Sequence, residues 1–140
     1  ESSFKLGGKI DASTLAWWLG QSDAARRNAV AFVDEDAPTV ADALSRLHTW
    51  IRNIGPEAVW SHGATFDIRL LVHWFGVTGL PTPWHFTSER DTRTLFDIAG
   101  YRPADDPLVG PVAHRALDDA RAQAGMVARA MARLRLAVAP

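Results

Sequence analysis

The chain contains no cysteine in its 140 residues. That excludes a disulfide framework and a thiolate-ligated metal, so any bound metal must rest on oxygen or imidazole donors. Long apolar runs are missing as well, and none approaches the roughly 20 residues that a membrane-spanning helix needs. The opening Glu1-Ser2-Ser3 has neither the charge pattern nor the apolar stretch of a secretory signal. Together these absences point to a cytoplasmic protein with no membrane partner. Charge of one sign is also lacking. Fifteen basic residues against sixteen acidic ones leave a net charge of −1, whereas proteins that grip nucleic acid non-specifically are usually basic. An enzyme built on carboxylates and metal ions brings its own positive charge, so this neutrality does not exclude a nucleic-acid substrate. Lysine is scarce, with two against thirteen arginines. Arginine suits bidentate phosphate contacts, and GC-rich coding produces the same bias.

What is present describes a globular domain. Hydrophobic residues make up 47% of the chain and the charges are mixed in sign, which is not the composition of a disordered segment. A chain of this length buries about two-thirds of its unfolded surface. No internal repeat or low-complexity tract divides it, so residues 1–140 read as a single domain. Residues 5–10 read as the end of a strand. Asp11 or Ser13 then caps a helix through Trp17-Trp18-Leu19, and Ser22 caps a second over residues 23–32. Residues 34–38 form a loop. Thr39-Val40-Ala41-Asp42 resembles a capping box and opens a helix whose stripe Val40, Leu44, Leu47, Ile51, Ile54 ends at Gly55-Pro56. A buried strand over 58–62 leads into a helix over 65–75, and residues 76–83 are a turn-rich connection. His85-Phe86-Thr87 reads as another strand, followed by a short helix over 92–99 and a Pro- and Gly-rich loop over 101–112. The last helix, 116–136, carries an apolar stripe of Leu117, Ala120, Ala124, Val127, Met131 and Leu134. Strands alternating with helices make this an α/β domain.

Four groups of residues could carry chemistry or hold a substrate. Asp67 follows a buried strand and opens a helix, which places it at the carboxyl edge of a sheet, where α/β proteins build their sites. Taken alone, a first-turn carboxylate is also explained by the helix dipole. Phe66 beside it could stack on a base or belong to the core. His114 precedes the last helix and Asp119 lies in its first turn, so an imidazole that titrates near neutral pH hangs over an anchored carboxylate. Asp118 is an alternative to its neighbour Asp119. Trp17 and Trp18 point about 100° apart on one helix. One ring can therefore pack inward, as large aromatics commonly do, while the other faces a cleft. Trp18 is the candidate platform for a terminal base, and an exposed Trp would equally suit a homodimer face. Arg93 and Arg115 are candidate phosphate contacts, Arg115 the better placed because it adjoins His114.

In combination these residues resemble a known family. Ser61-His62-Gly63-Ala64-Thr65-Phe66-Asp67 after a strand, then about fifty residues with a further strand–helix unit, then His114-x-Ala116-Leu117-x-Asp119-Ala120 opening a long helix, are similar in content and order to the second and third motifs of the DEDDh (DnaQ-like) 3′→5′ exonucleases. Ile10-Asp11-Ala12-Ser13-Thr14 with Trp17-Trp18 and Gln21-Ser22, and Arg90-Asp91-Thr92-Arg93-Thr94-Leu95, resemble the phage and exonuclease VIII-like branch, which is also similar to mycobacterial RNase AS. The resemblance implies an RNase H-like core, a mixed sheet flanked by helices, and two divalent ions, Mg²⁺ or Mn²⁺. It implies Asp67 as a metal ligand partly through water, Asp119 as a direct ligand and His114 as the base that deprotonates the attacking water. The partner it implies is a 3′ end of single-stranded DNA or RNA. The family's first motif, Asp-x-Glu, occurs nowhere in the chain. Phe32-Val33-Asp34-Glu35-Asp36 mimics it, but follows a helical pattern and lies only 33 residues before Asp67. The first strands are therefore expected upstream of Lys5, outside the chain. The alternative is a non-catalytic member or fragment that binds nucleic acid or a partner.

Overall fold

The computed structural model describes residues 9–29, 38–106 and 116–138. Helix α1 spans Ala12–Leu19 and is capped by Asp11, whose Oδ1 accepts the Thr14 N–H at 2.8 Å and the Ser13 hydroxyl at 2.5 Å. Helix α2, Asp23–Ala29, follows Ser22, whose hydroxyl oxygen accepts the Ala25 N–H at 3.2 Å. Most of the strand ending expected over residues 5–10, the end of the second helix beyond residue 29 and the loop over 34–37 lie outside the described residues, and Lys9 and Ile10 are not in a strand. Helix α3, Val40–Ile54, starts on Thr39, which accepts the Asp42 N–H at 3.1 Å and donates its hydroxyl to Asp42 Oδ2 at 2.7 Å. It stops where Gly55 takes φ 58°, a left-handed conformation that glycine adopts without steric penalty.

Strands β1, Val59–Ser61, and β2, Glu89–Asp91, pair in parallel, with Val59 opposite Glu89, Trp60 opposite Arg90 and Ser61 opposite Asp91. A parallel pair needs a crossover, and helix α4, Asp67–Val77, supplies it. Helix α5, Thr92–Ile98, follows β2 directly, and α6 runs from Ala116 to Val138. Successive strand residues face opposite sides, and the cores divide accordingly. Val59 packs with Leu44 and Ile51 of α3, Ile68 and Phe75 of α4, and Trp84. Trp60 packs with Phe96, Tyr101, Met126, Val127 and Ala130. The result is a mixed α/β domain with α3 and α4 on one face of a small parallel sheet and α5 and α6 on the other, the layering of a partial RNase H-like core.

Two expectations are corrected. His85-Phe86-Thr87 is not a strand; Phe86–Ser88 forms a 3₁₀ turn capped by His85, whose ring nitrogen bonds the Thr87 hydroxyl at 2.7 Å. The strand comes four residues later as Glu-Arg-Asp. That sequence offers no apolar signal, because β2 is fixed by its polar side chains: Glu89 pairs with Arg69 of α4 and accepts the Trp84 indole N–H at 3.2 Å. On α6 the buried face is Met126, Val127 and Ala130, while Leu117 is 61% exposed and Met131 also reaches solvent. Alanines dominate this helix and mark no side strongly, so the apolar stripe read from sequence is rotated from the true one. Asp106 ties the chain beyond α5 to α6, accepting from the Tyr101 hydroxyl and from Arg129 Nε. Burial, followed by that bond to Asp106, pushes the Tyr101 hydroxyl above its ordinary pKa. None of the described helices is long and apolar enough to cross a membrane.

Candidate active site at the carboxyl edge of the sheet

Because Ser61 and Asp91 are register partners, both strands deliver their chains to the same edge, one residue before α5 and six before α4. The longer connection is a tight turn. Gly63 adopts φ 102°, and the Phe66 N–H returns to the Gly63 carbonyl at 2.8 Å. Asp67 then opens α4 with its side chain exposed. Its Oδ2 accepts the hydroxyl of buried Ser61 at 2.9 Å. The Ser61 oxygen also lies 3.4 Å from the Gly63 carbonyl, but one hydroxyl proton favours the shorter, charged acceptor.

Three contacts join this turn to the start of α5. Asp91 caps α5 by accepting the Arg93 and Thr94 N–H groups on Oδ1, at 2.8 and 3.3 Å, and its Oδ2 accepts the Ala64 N–H at 2.7 Å. The Ala64 N–H is the main reason its carboxyl is held below the usual carboxylate range. Partial burial pulls the other way, and the Thr94 and Arg93 amides and the Arg93 charge reinforce the lowering. Next to it Thr92, 1% exposed, bonds His62 Nδ1 through its hydroxyl at 2.9 Å. Finally, the Arg93 guanidinium covers Gly63, with Cζ and both terminal nitrogens 3.6 Å from where a Cβ would stand.

The other carboxylate comes from α6. Asp119 is half-buried, and its Oδ1 is buried with no hydrogen-bond partner among the described residues. Its neighbour Asp118 lies 3.9 Å from Arg121. One residue beyond Asp119 a cavity of about 240 Å³ opens between Trp60, Thr92, Ala120, Gln123, Ala124 and Val127, which connects the first turns of α6 to the β1 and α5 ends.

Asp67 thus takes the expected place at the head of a helix, and Phe66 beside it is 66% exposed. Neither tryptophan of α1 is buried: Trp17 is half exposed and Trp18 half-buried, with the two rings edge-on at 4.9 Å. His114 and Arg115 lie outside the described residues. Among the described residues no group of three or more His, Asp or Glu side chains converges as a metal site. Sequence reasoning gave no role to Ser61, Asp91 or Thr92. Asp91 carried a readable signal, an Asp immediately before a helical stretch, while the Ser61 contact depends on a turn that no periodicity announces.

A parallel α/β edge with one carboxylate at a strand–helix turn and another in the first turn of the C-terminal helix belongs to the RNase H-like class of domains. Residues 1–131 match the family described as the 3′-5′ exoribonuclease Rv2179c-like domain, and the chain belongs to that family, among the DnaQ-like exonucleases. Over 64 residues it is also 39% identical to an exodeoxyribonuclease of Enterobacteria phage T4, a match covering 43% of this chain and 27% of the phage protein. The chain therefore spans about a quarter of that relative's length. No solved structure matches it.

Proposed function

We propose that the protein is a metal-dependent 3′→5′ exonuclease acting on single-stranded nucleic acid, with Asp67 and Asp119 as metal ligands and His114 as general base. Family membership supports the reaction class. The observation that carries the site is Oδ1 of Asp119, buried and without a hydrogen-bond partner among the described residues. An unpaired carboxylate oxygen out of water is expensive unless a cation or donor meets it. The available donors are oxygen and imidazole, with no thiolate, which fits Mg²⁺ or Mn²⁺. A pair of such ions, when bound, would supply charge stabilisation at the phosphate and an activated water.

The chain's own residues would do the rest. The Ser61 hydroxyl orients Asp67 by the 2.9 Å bond to its Oδ2. His114 would take a proton from the attacking water, a task suited to a side chain that titrates near neutral pH. The water oxygen joins phosphorus and the bond from phosphorus to the preceding 3′ oxygen breaks. A nucleoside 5′-monophosphate leaves, and the freed 3′ oxygen takes a proton from solvent, so that a 3′-hydroxyl remains on the shortened strand. Phe66 would stack on a base, with Trp18 and Arg115 as further strand contacts. The cysteine-free composition suits a cytoplasmic enzyme.

A second reading, a non-catalytic strand- or partner-binding domain, has its own support: no converging metal group among the described residues and no Asp-x-Glu in the chain. The family description names RNA and the phage relative's name DNA, so the deciding assay uses both. A 5′-labelled single strand of each is incubated with Mg²⁺ or Mn²⁺, beside Asp119→Ala. A ladder shortening from the 3′ end that Asp119→Ala abolishes is the expected result. Intact strands with both metals would overturn the exonuclease reading in favour of the binding domain.

A further inference from the structure

Arg93 is placed oddly for a structural cation. It lies in the first turn of α5, where the helix dipole disfavours positive charge. Among the described residues its side chain makes no hydrogen bond or ion pair, although its charge is felt by Asp91 two residues back. Two other arginines of this part of the chain are committed: Arg69 to Glu89, and Arg90 to the Thr87 and Glu89 carbonyls at 2.5 and 2.9 Å. Nevertheless the Arg93 guanidinium has a defined seat. Cζ and both terminal nitrogens stand equally far, 3.6 Å, from the Cβ position of Gly63. Equal distances to those three atoms mean that the glycine meets the flat face of the guanidinium. The N–H groups radiate in the plane, so packing against this face fixes the group and leaves its donors free. Gly63, at φ 102°, belongs to the same turn that carries Phe66 and delivers Asp67.

We propose that Arg93 binds a phosphate of the substrate strand, its guanidinium seated on the Gly63 turn so that the N–H edge meets non-bridging phosphate oxygens beside Asp67 and Phe66. This rests on the reading of the edge as a nucleic-acid site and adds to it the residue that holds the backbone in register. A planar fork is the donor shape that matches two phosphate oxygens. The charge also offsets repulsion between the strand and the carboxylates Asp67, Asp91 and Asp119 at this edge.

The test is binding of a fluorescein-labelled single strand, DNA and RNA, read by anisotropy in EDTA so that the strand stays intact, across a salt series. Arg93→Ala is expected to weaken binding about tenfold or more and to flatten the slope of log affinity against log salt by about 0.7, the share of one phosphate on a single strand. Arg93→Lys should restore the slope, because the charge is back, and recover only part of the affinity, because the fork is not. In turnover, Arg93→Ala should raise KM far more than it lowers kcat. A wild-type protein that binds or degrades the strand while Arg93→Ala matches it in affinity, slope and KM overturns the Arg93 assignment alone. No binding and no degradation by wild type overturns the nucleic-acid reading and the assignment with it. If Arg93→Ala melts far below wild type, Arg93→Lys decides: reduced affinity at an unchanged slope supports the fork, and full affinity refutes it.

Discussion

Asp91→Asn separates two tasks that one carboxylate performs. Its Oδ1 caps α5 through the Arg93 and Thr94 amides, and its Oδ2 holds the Ala64 N–H of the neighbouring turn at 2.7 Å. Asparagine caps a helix about as well as aspartate, so the cap survives. The second oxygen becomes an amide nitrogen, which cannot accept, and whichever way the amide turns one set of donors faces a donor. A hydrogen bond to a charged group contributes roughly 1.5–3 kcal/mol. Ala64 is only half-buried, so water compensates in part, and we expect a loss of about 1.5 kcal/mol at pH 7. Asp91→Ala also removes the cap, worth about 1 kcal/mol more. For a domain of this size 1 kcal/mol shifts the melting temperature by roughly 3–4 °C, so the two variants should melt about 5 and 9 °C below wild type. The pH dependence supplies a second axis. The Asp91 carboxyl is held below its ordinary 3.8 by its amide donors, so its stabilisation is full above that value and is lost as pH falls through the lower folded value. Asparagine has no such titration, and the gap between wild type and Asp91→Asn should therefore close in acid. Urea unfolding at pH 7 and at pH 3 reads both. Asp91→Asn as stable as wild type at neutral pH, or a gap that persists undiminished in acid, would refute the latch.

Two further substitutions probe core and surface. Ile68, 1% exposed among Leu44, Phe75 and Trp84, should lose about 3 kcal/mol on Ile68→Ala, and a urea midpoint equal to wild type would show that this face does not hold the fold. Phe66→Ala should leave the melting temperature within about 2 °C, because the ring faces solvent, yet weaken single-strand binding by about 1–3 kcal/mol; unchanged anisotropy would remove Phe66 from the site.

Much of the fold was legible because its signals are local. Asp11, Ser22 and Thr39 each bond an amide three residues on, as their positions before helical runs suggested. Gly55 ended α3 where expected. What stayed hidden depends on contacts across the chain. The strand Glu-Arg-Asp is polar because its partners are Arg69, Trp84 and the Ala64 amide, and no window of sequence contains those residues together. The face of α6 was misjudged because alanine suits both core and solvent. In the candidate site, Asp67 and Asp119 could be named from motif and helix position, whereas the Ser61 hydroxyl that orients Asp67 and the buried state of Asp119 Oδ1 emerge only from packing.

The division of the core by a sheet only two strands wide, among the described residues, bears on how the site holds its shape. Asp67 opens a helix on one face and Asp119 a helix on the other, so the two carboxylates belong to different packed layers. Three-residue strands offer few ladder bonds to keep such layers in step, and packed units of a fold can open separately. The stitches across them, Asp91 to Ala64 and Thr92 to His62, hold the turn that delivers Asp67. Any occupant that touches both Asp67 and Asp119 would close one unit against the other, and its affinity and the cooperativity of unfolding would rise together.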